Sequence, residues 1–246
     1  MIFHVQTPTL NQYSTPCLSK ETTNQLLFGE EVRILERLEH SLYVESLISD
    51  YRGYVNGNSG LAEGAAKTTH FVRTPSTLLF KLPDIKTPNP IILPMLARVQ
   101  VLRVKENFSE TPSGWISSKH LLPNNTAAEI DLPKLITLAK NYLETPYLWG
   151  GNTIAGLDCS GLMHILWRRF GVNLPRDSQQ QEHAEGWKTQ TSTRAGDLVF
   201  WAGHVGLMIN ETELLHANAY TMRTSIEALE TVQQRINKNF IIRRIG

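Results

Sequence analysis

The alternation of apolar and polar positions changes character near Pro123. Before it, short apolar runs at residues 25–28, 31–35, 42–47, 53–55, 98–104 and 114–116 are separated by turn-forming residues. Such runs, rich in Val, Ile, Leu and aromatics and punctuated by Gly, Pro, Asn and Asp, predict the strands of small β-barrels or sandwiches. Asp50-Tyr51-Arg52-Gly53-Tyr54-Val55 closes one set and Ser113-Gly114-Trp115-Ile116 another, which suggests two similar units. Each would be too small for a large core of its own, so they are expected to pack on each other or on the later part of the chain. Residues 82–94 carry Pro83, Pro88, Pro90 and Pro94 and read as a loop or sheet edge.

After Pro123 the apolar spacing turns helical. Asp131 is positioned as an N-cap with Pro133 just inside, followed by Leu135, Ile136, Leu138, Ala139, Tyr142 and Leu143. A second helix is expected from about Cys159 to Phe170, with Leu162, Met163, Ile165, Leu166 and Trp167 on its buried side and Gly171 at its C-terminal stop. Strands are expected at 197–201, 204–209 and 213–217. The domain plan is therefore a β unit at 1–65, a second at 66–123, and an α+β unit at 124–246.

Composition narrows the function. The 246 residues are 41% apolar and 19% charged, values of a folded protein, and 24 basic against 23 acidic residues leave a net charge of +1. That balance, with no basic run, excludes nucleic acid as an expected partner. No segment approaches the ~18 apolar residues of a membrane span, and the first 19 residues contain neither Lys nor Arg, unlike a signal peptide. The expectation is no membrane partner and a cytoplasmic location, or export to the envelope if a leader has been removed. Two cysteines, Cys17 and Cys159, make no disulfide framework, and neither sits in a zinc-ligand spacing, so no metal is expected.

Cys159, in Leu157-Asp158-Cys159-Ser160-Gly161, falls where a turn enters a helix. Amide N–H groups and the helix dipole favour a thiolate there, and a neighbouring imidazolium can lower a thiol pKa from ~8.5 into the range ~3.5–7.5. Alone, such a cysteine is more often a small core residue; its polar, turn-forming flanks argue otherwise. His204 opens one alternating strand and His216 lies in the next, giving a base and a group to orient it. His164 and His183 read as structural or exposed. Acyl transfer through a thiolate needs no metal and no cofactor.

The order Tyr147-Leu148-Trp149-Gly150-Gly151, Asp158-Cys159-Ser160-Gly161, Leu174-Pro175-Arg176-Asp177-Ser178, Gly196-Asp197-Leu198-Val199-Phe200, His204-Val205-Gly206 and His216-Ala217 resembles the NlpC-type cell-wall cysteine endopeptidases over about 140–246. Leu26-Leu27-Phe28-Gly29-Glu30 and the turn at 51–55 resemble bacterial SH3-like modules. The resemblance implies a papain-like peptidase domain preceded by two SH3-like β-barrels. It also implies a triad of Cys159 as nucleophile, His204 as general base then acid, and His216 as orienting group. Tyr147 and the Pro-Arg-Asp-Ser run look like those of γ-D-glutamyl-L-diamino acid endopeptidases of the dipeptidyl-peptidase VI type, which recycle murein tri- and tetrapeptides bearing a free N-terminal L-Ala. On that likeness Asp177 and Tyr51 would help hold the substrate ammonium, with Glu21, or else Glu30, as an acidic partner from the first module. Tyr147, Ser160, Arg176 and Ser178 would line the pocket and Asp158 would shape it. Arg176 is also open to pairing with Asp177 or with the α-carboxylate of D-Glu, and Trp149 reads as a core aromatic. Two departures stand out: only Trp201-Ala202-Gly203 separates the Gly-Asp-Leu-Val-Phe run from His204, and the first module ends Gly-Tyr-Val rather than Gly-Trp-Val. Three other readings share these motifs: an exported hydrolase of intact wall, a wall-binding protein with an inactive peptidase domain, and acyl transfer to a nucleophile other than water.

Overall fold

The computed structural model describes residues 1–57, 60–126 and 129–245. The chain forms two compact units, 1–127 and 128–246.

In the first unit the strands are β1 (Ile2–Val5), β2 (Thr9–Tyr13), β3 (Thr22–Leu27), β4 (Glu31–Arg37), β5 (Ser41–Ser46), β6 (Arg52–Asn56), β7 (Leu61–Glu63), β8 (His70–Val72), β9 (Ser76–Phe80), β10 (Ile91–Pro94), β11 (Arg98–Val99), β12 (Arg103–Lys105), β13 (Phe108–Thr111), β14 (Gly114–Ser117) and β15 (Leu121–Pro123). They build antiparallel sheets in the orders β3-β2-β6-β5-β4-β1-β7, β10-β9-β14-β13-β12 and β11-β8-β15. Alternate side chains of a strand share a face, and those faces close over two separate cores. Val5, Leu10, Leu26, Val32, Leu42, Val44 and Val55 fill one. Val72, Leu79, Leu93, Ala97, Val99, Ile116 and Leu121 fill the other.

The proline-rich segment 82–94 ends in β10, an edge strand. The run 98–104 is not one strand. Its start, β11, pairs with β8, and its end, β12, pairs with β13 of another sheet. The chain turns between them, where the Val101 amide donates to Thr69 Oγ1 and not to a strand, leaving Leu102 and Val104 exposed.

In the second unit Asp131 caps α1 (Leu132–Lys140), its carboxylate accepting the Lys134 amide at 3.0 Å. Then follow β16 (Asn152–Thr153), β17 (Gly156–Leu157), α2 (Cys159–Arg169), α3 (Ser178–Glu182), β18 (Trp187–Gln190), β19 (Leu198–Trp201), β20 (His204–Met208), β21 (Glu213–Asn218), β22 (Arg223–Ala228), α4 (Leu229–Ile236) and β23 (Ile241–Ile245). The main sheet is antiparallel in the order β18-β23-β19-β20-β21-β22. Helix α2 packs against α1, α3, β16, β20 and β21. Enclosed in this way it is buried all round from Cys159 to Trp167, Ser160, Gly161 and His164 included, and not on one face only. Helix α4, which the apolar pattern did not announce, covers Val199, Trp201, Met208 and Leu214 with Val232.

Candidate active site

Cys159 is the first residue of α2, and the chain enters that helix through a buried polar network. Asp158 is the N-cap: Oδ1 accepts the Gly161 amide at 2.6 Å and Oδ2 the Gly150 amide at 2.8 Å. The Arg176 guanidinium donates to both oxygens, at 2.9 Å and 2.7 Å, and to Ser160 Oγ at 3.0 Å. Gln181 of α3 ties the assembly together, its amide donating to Ser160 O at 2.9 Å and Pro175 O at 2.8 Å. Gly161 is dictated by close approach, since a Cβ there would lie 2.2 Å from the Gly151 carbonyl oxygen. Arg176 thus takes Asp158 as its bidentate partner, one the sequence did not suggest. Being 2% exposed, it supports the nucleophile's turn from within.

The thiol itself departs from expectation. Burial, and then the Asp158 carboxylate, push the Cys159 pKa up to about 11, outweighing hydrogen bonds from the Val205 and Ser160 amides and the charge of Arg176. The helix start supplies the stabilising amides that were foreseen, but the site is too dry for them to dominate. The Val205 amide that favours the thiolate belongs to the residue after His204 on β20, the strand against which α2 packs.

Strands β19 and β20 form a tight hairpin in which Trp201 pairs with His204 across Ala202-Gly203, so the short spacing of the sequence becomes a two-residue turn. His204 Nε2 lies 2.8 Å from His216 Nδ1. His216 Nε2 lies 2.8 Å from Glu227 Oε2 on β22 and 3.2 Å from Asn218 Nδ2. Arg235 of α4 pairs with Glu227, one bond being Nη1 to Oε2 at 3.2 Å. Desolvation opposes ionisation of Glu227, but hydrogen bonds from Arg235 and His216 outweigh it and its pKa is lowered. Burial, and then the neighbouring His216, lower the His204 pKa to about 3; burial likewise lowers that of His216 against the pull of Glu227. The resting site therefore holds a neutral thiol and neutral imidazoles. Trp201 stacks on His204 with ring centres 5.8 Å apart and donates from Nε1 to Gln233 Oε1 of α4 at 2.8 Å. Gly206 leaves the space, since a Cβ there would meet Leu214 Cδ1 at 2.3 Å.

Among the remaining expected site residues, Tyr147 is half-buried, and its hydroxyl pKa is raised by burial, then by the charges of Cys159 and Asp158. Its phenol is therefore a neutral donor beside the nucleophile. Asp177 is the half-buried N-cap residue of α3 and Ser178 its first residue. Trp149 is 56% exposed, correcting its reading as a core aromatic: it follows Tyr147 and Leu148 in a surface turn where glycines, not packing, set the path. His164 is buried, Nδ1 donating to Leu174 O at 2.6 Å, and His183 is exposed, in keeping with structural roles. In the first unit Tyr51 is half-buried just before β6 and Glu21 is exposed just before β3. Glu30, the alternative to Glu21, is 2% exposed and accepts the Leu27 amide at 3.0 Å, the internal duty of a turn.

Sequence reasoning missed Glu227, Arg235, Trp201 and Gln233. The alternation Ser225-Ile226-Glu227 could have announced a strand with Glu227 on one face. Only pairing, however, brings that face to His216, through the partnership of His216 with Ser225.

Residues 144–242 match the model of the NlpC/P60 family. Across 244 residues, 89% of each chain, the sequence is 27% identical to the dipeptidyl-peptidase 6 of Lysinibacillus sphaericus. It is also 27% identical over 228 residues to the γ-D-glutamyl-L-lysine dipeptidyl-peptidase of Bacillus subtilis (strain 168), covering 82% of this chain and 74% of that one. The fold is that of an NlpC/P60 family protein from Bacillus cereus ATCC 10987, at a TM-score of 0.85, 18% identity and 98% coverage of both chains.

Proposed function

We propose, for a chain whose residues 144–242 match the NlpC/P60 family, that it is a cysteine peptidase that hydrolyses the γ-D-glutamyl-L-diamino acid bond of murein peptides with a free N-terminal L-Ala. The observation that supports the chemistry is that Cys159 opens α2, which packs against the strand β20 bearing His204, whose Nε2 lies 2.8 Å from His216 Nδ1. In this reading the thiol proton passes to His204 Nδ1 as sulfur attacks the γ-carbonyl carbon, and amides of the first turn of α2 stabilise the oxyanion. The imidazolium then protonates the leaving amine as the C–N bond breaks. Water, deprotonated by His204, cleaves the thioester and restores the thiol.

The likeness to a γ-D-glutamyl-L-lysine dipeptidyl-peptidase supports the substrate class. Tyr147, Asp177 and Ser178 are suited to an ammonium and a peptide: an anionic carboxylate beside neutral hydroxyl donors, since an unpaired ammonium out of water is costly. We read residues 1–65 and 66–123 as SH3-like modules and 124–246 as the peptidase domain, acting on small recycled peptides in the cytoplasm. Among the described residues no helix is long and apolar enough to cross a membrane.

The test is to incubate the protein with L-Ala-γ-D-Glu-diaminopimelate and with its N-acetylated form. Cleavage of the free peptide, with at least ~100-fold lower kcat/KM for the acetylated one, is expected if a charged amine is recognised. Equal rates would remove amine recognition; release of fragments from intact sacculi at comparable rates would replace recycling by wall hydrolysis.

A further inference from the structure

Four side chains continue the line from the base into the body of the second unit. His204 and His216 lie on neighbouring strands, and Glu227 lies two residues beyond Ser225, the partner of His216, so His216 and Glu227 share a sheet face. Arg235, in the last turn of α4, reaches back over that face to Glu227 while its guanidinium rests 4.0 Å from the centre of the Tyr220 ring. The contacts have a direction, because a carboxylate can only accept hydrogen bonds. His216 Nε2, 2.8 Å from Glu227 Oε2, must therefore carry a proton. A neutral His216 then has a lone pair on Nδ1, and the 2.8 Å contact with His204 Nε2 requires that this second nitrogen be protonated. His204 Nδ1 is left with the lone pair. The Asn218 amide nitrogen lies at the longer 3.2 Å from His216 Nε2 and also donates to Ser225 Oγ at 3.0 Å; the shorter contact of Nε2 is with the carboxylate, which can only accept.

We propose that Glu227, held in place by Arg235, is a positioning residue that fixes the tautomers of His216 and His204 so that the base presents an unprotonated Nδ1 to the thiol. The proposal rests on the reading of Cys159 and His204 as the reacting pair. Helix α4 is the scaffold of this device. It carries Arg235, which fixes Glu227, and Gln233, which fixes Trp201 against His204. Both imidazoles are thus oriented from one helix, His216 through a charge and His204 through a ring. Buried His164 of α2, by contrast, donates to a backbone carbonyl.

The experiment is side-chain ¹⁵N NMR of the histidines in the full chain at pH 7, together with kinetics of Glu227→Gln, Arg235→Met, Cys159→Ala and His204→Ala on a peptide the parent cleaves. In the parent, Nε2 is expected to carry the proton on both His204 and His216. Glu227→Gln can donate as well as accept, so it should mix the tautomers and lower kcat at least ~10-fold with KM within ~2-fold, because orientation of the base acts in the chemical step. Arg235→Met should lower kcat less while changing the tautomers in the same sense. A parent His216 protonated on Nδ1, or Glu227→Gln turning over at the parental kcat, would overturn the proposal. Should Glu227→Gln fail to fold, the parent spectrum and Arg235→Met decide it. Full turnover by Cys159→Ala or His204→Ala would overturn the underlying reading instead. Loss of turnover in those two alongside parental Glu227→Gln kinetics would overturn this inference alone.

Discussion

Two carboxylate–arginine pairs flank the reacting groups, and their surroundings differ. Asp158 and Arg176 stand behind the nucleophile with side chains 7% and 1% exposed; Glu227 and Arg235 stand behind the base with 17% and 22%. The first pair lies deep enough that each charge depends on the other, and it spends every oxygen on the helix entrance: two backbone amides, a hydroxyl and the guanidinium. The second pair keeps some water, and its carboxylate divides between an arginine and an imidazole that titrates. The difference teaches that the same chemical pair can serve as architecture or as control. Burial makes loss of one partner intolerable, whereas partial exposure leaves the field at His216 adjustable at small cost to the fold.

The widest separation between fold and chemistry comes from removing the sulfur while leaving both pairs in place. Cys159→Ala should lose at least ~10³-fold in kcat/KM, while urea unfolding shifts by no more than about 1 kcal/mol. A variant that retained turnover would detach both pairs from catalysis. Next in size is the contrast between the two arginines. Arg176→Met leaves Asp158 charged and buried without its counterion and should cost about 3–5 kcal/mol of unfolding free energy. Arg235→Met should cost about 1 kcal/mol or less, as a partly solvated pair does. Equal losses in urea titrations would erase the distinction.

Acid sharpens the comparison further. His164, His204 and His216 have folded pKa values below the ordinary imidazole value, His204 at about 3, so the unfolded chain binds more protons than the folded one below about pH 6.5. Stability is therefore full above that pH and falls as pH drops from 6.5 toward 3, by up to about 1.4 kcal/mol per unit for each imidazole held neutral. Glu227, whose folded pKa is also lowered, adds loss of the same sign below its unfolded value of about 4.3. Denaturation midpoints at pH 7, 6 and 5 should decline in that order, and Arg176→Met should not flatten the slope, because Arg176 does not titrate there. The smallest effect belongs to Asp131, an N-cap on the surface. Asp131→Ala should cost about 1 kcal/mol, against the larger penalty for disturbing Asp158, an N-cap buried with a charge partner. Calorimetry of Asp131→Ala and Asp158→Ala measures what burial adds to one capping device.

Much of this was written in local patterns. The N-cap of α1 at Asp131, the entry of α2 at Cys159, the strands bearing His204 and His216, and the edge position of the proline-rich segment each follow from spacing a few residues long. Capping, periodicity and proline geometry are local physics, and the motifs around Cys159 and His204 are local too. Other features depended on partners distant in the chain. Whether 98–104 is one strand or two was settled by which strands pair with it. The helix-start cysteine was legible, but its raised pKa was not, because desolvation is a property of the packed interior. Arg176 meeting Asp158, and Trp149 left at the surface, likewise followed from packing.

The sequence by itself determined that a cysteine would open a helix, that two histidines would sit on successive strands after it, and that a β-rich segment would precede them. Tertiary structure alone decided that Glu227 would reach His216 and that α4 would brace both imidazoles. Strand register and helix docking join residues that no short window contains, and in a dry interior those joins set where each proton resides.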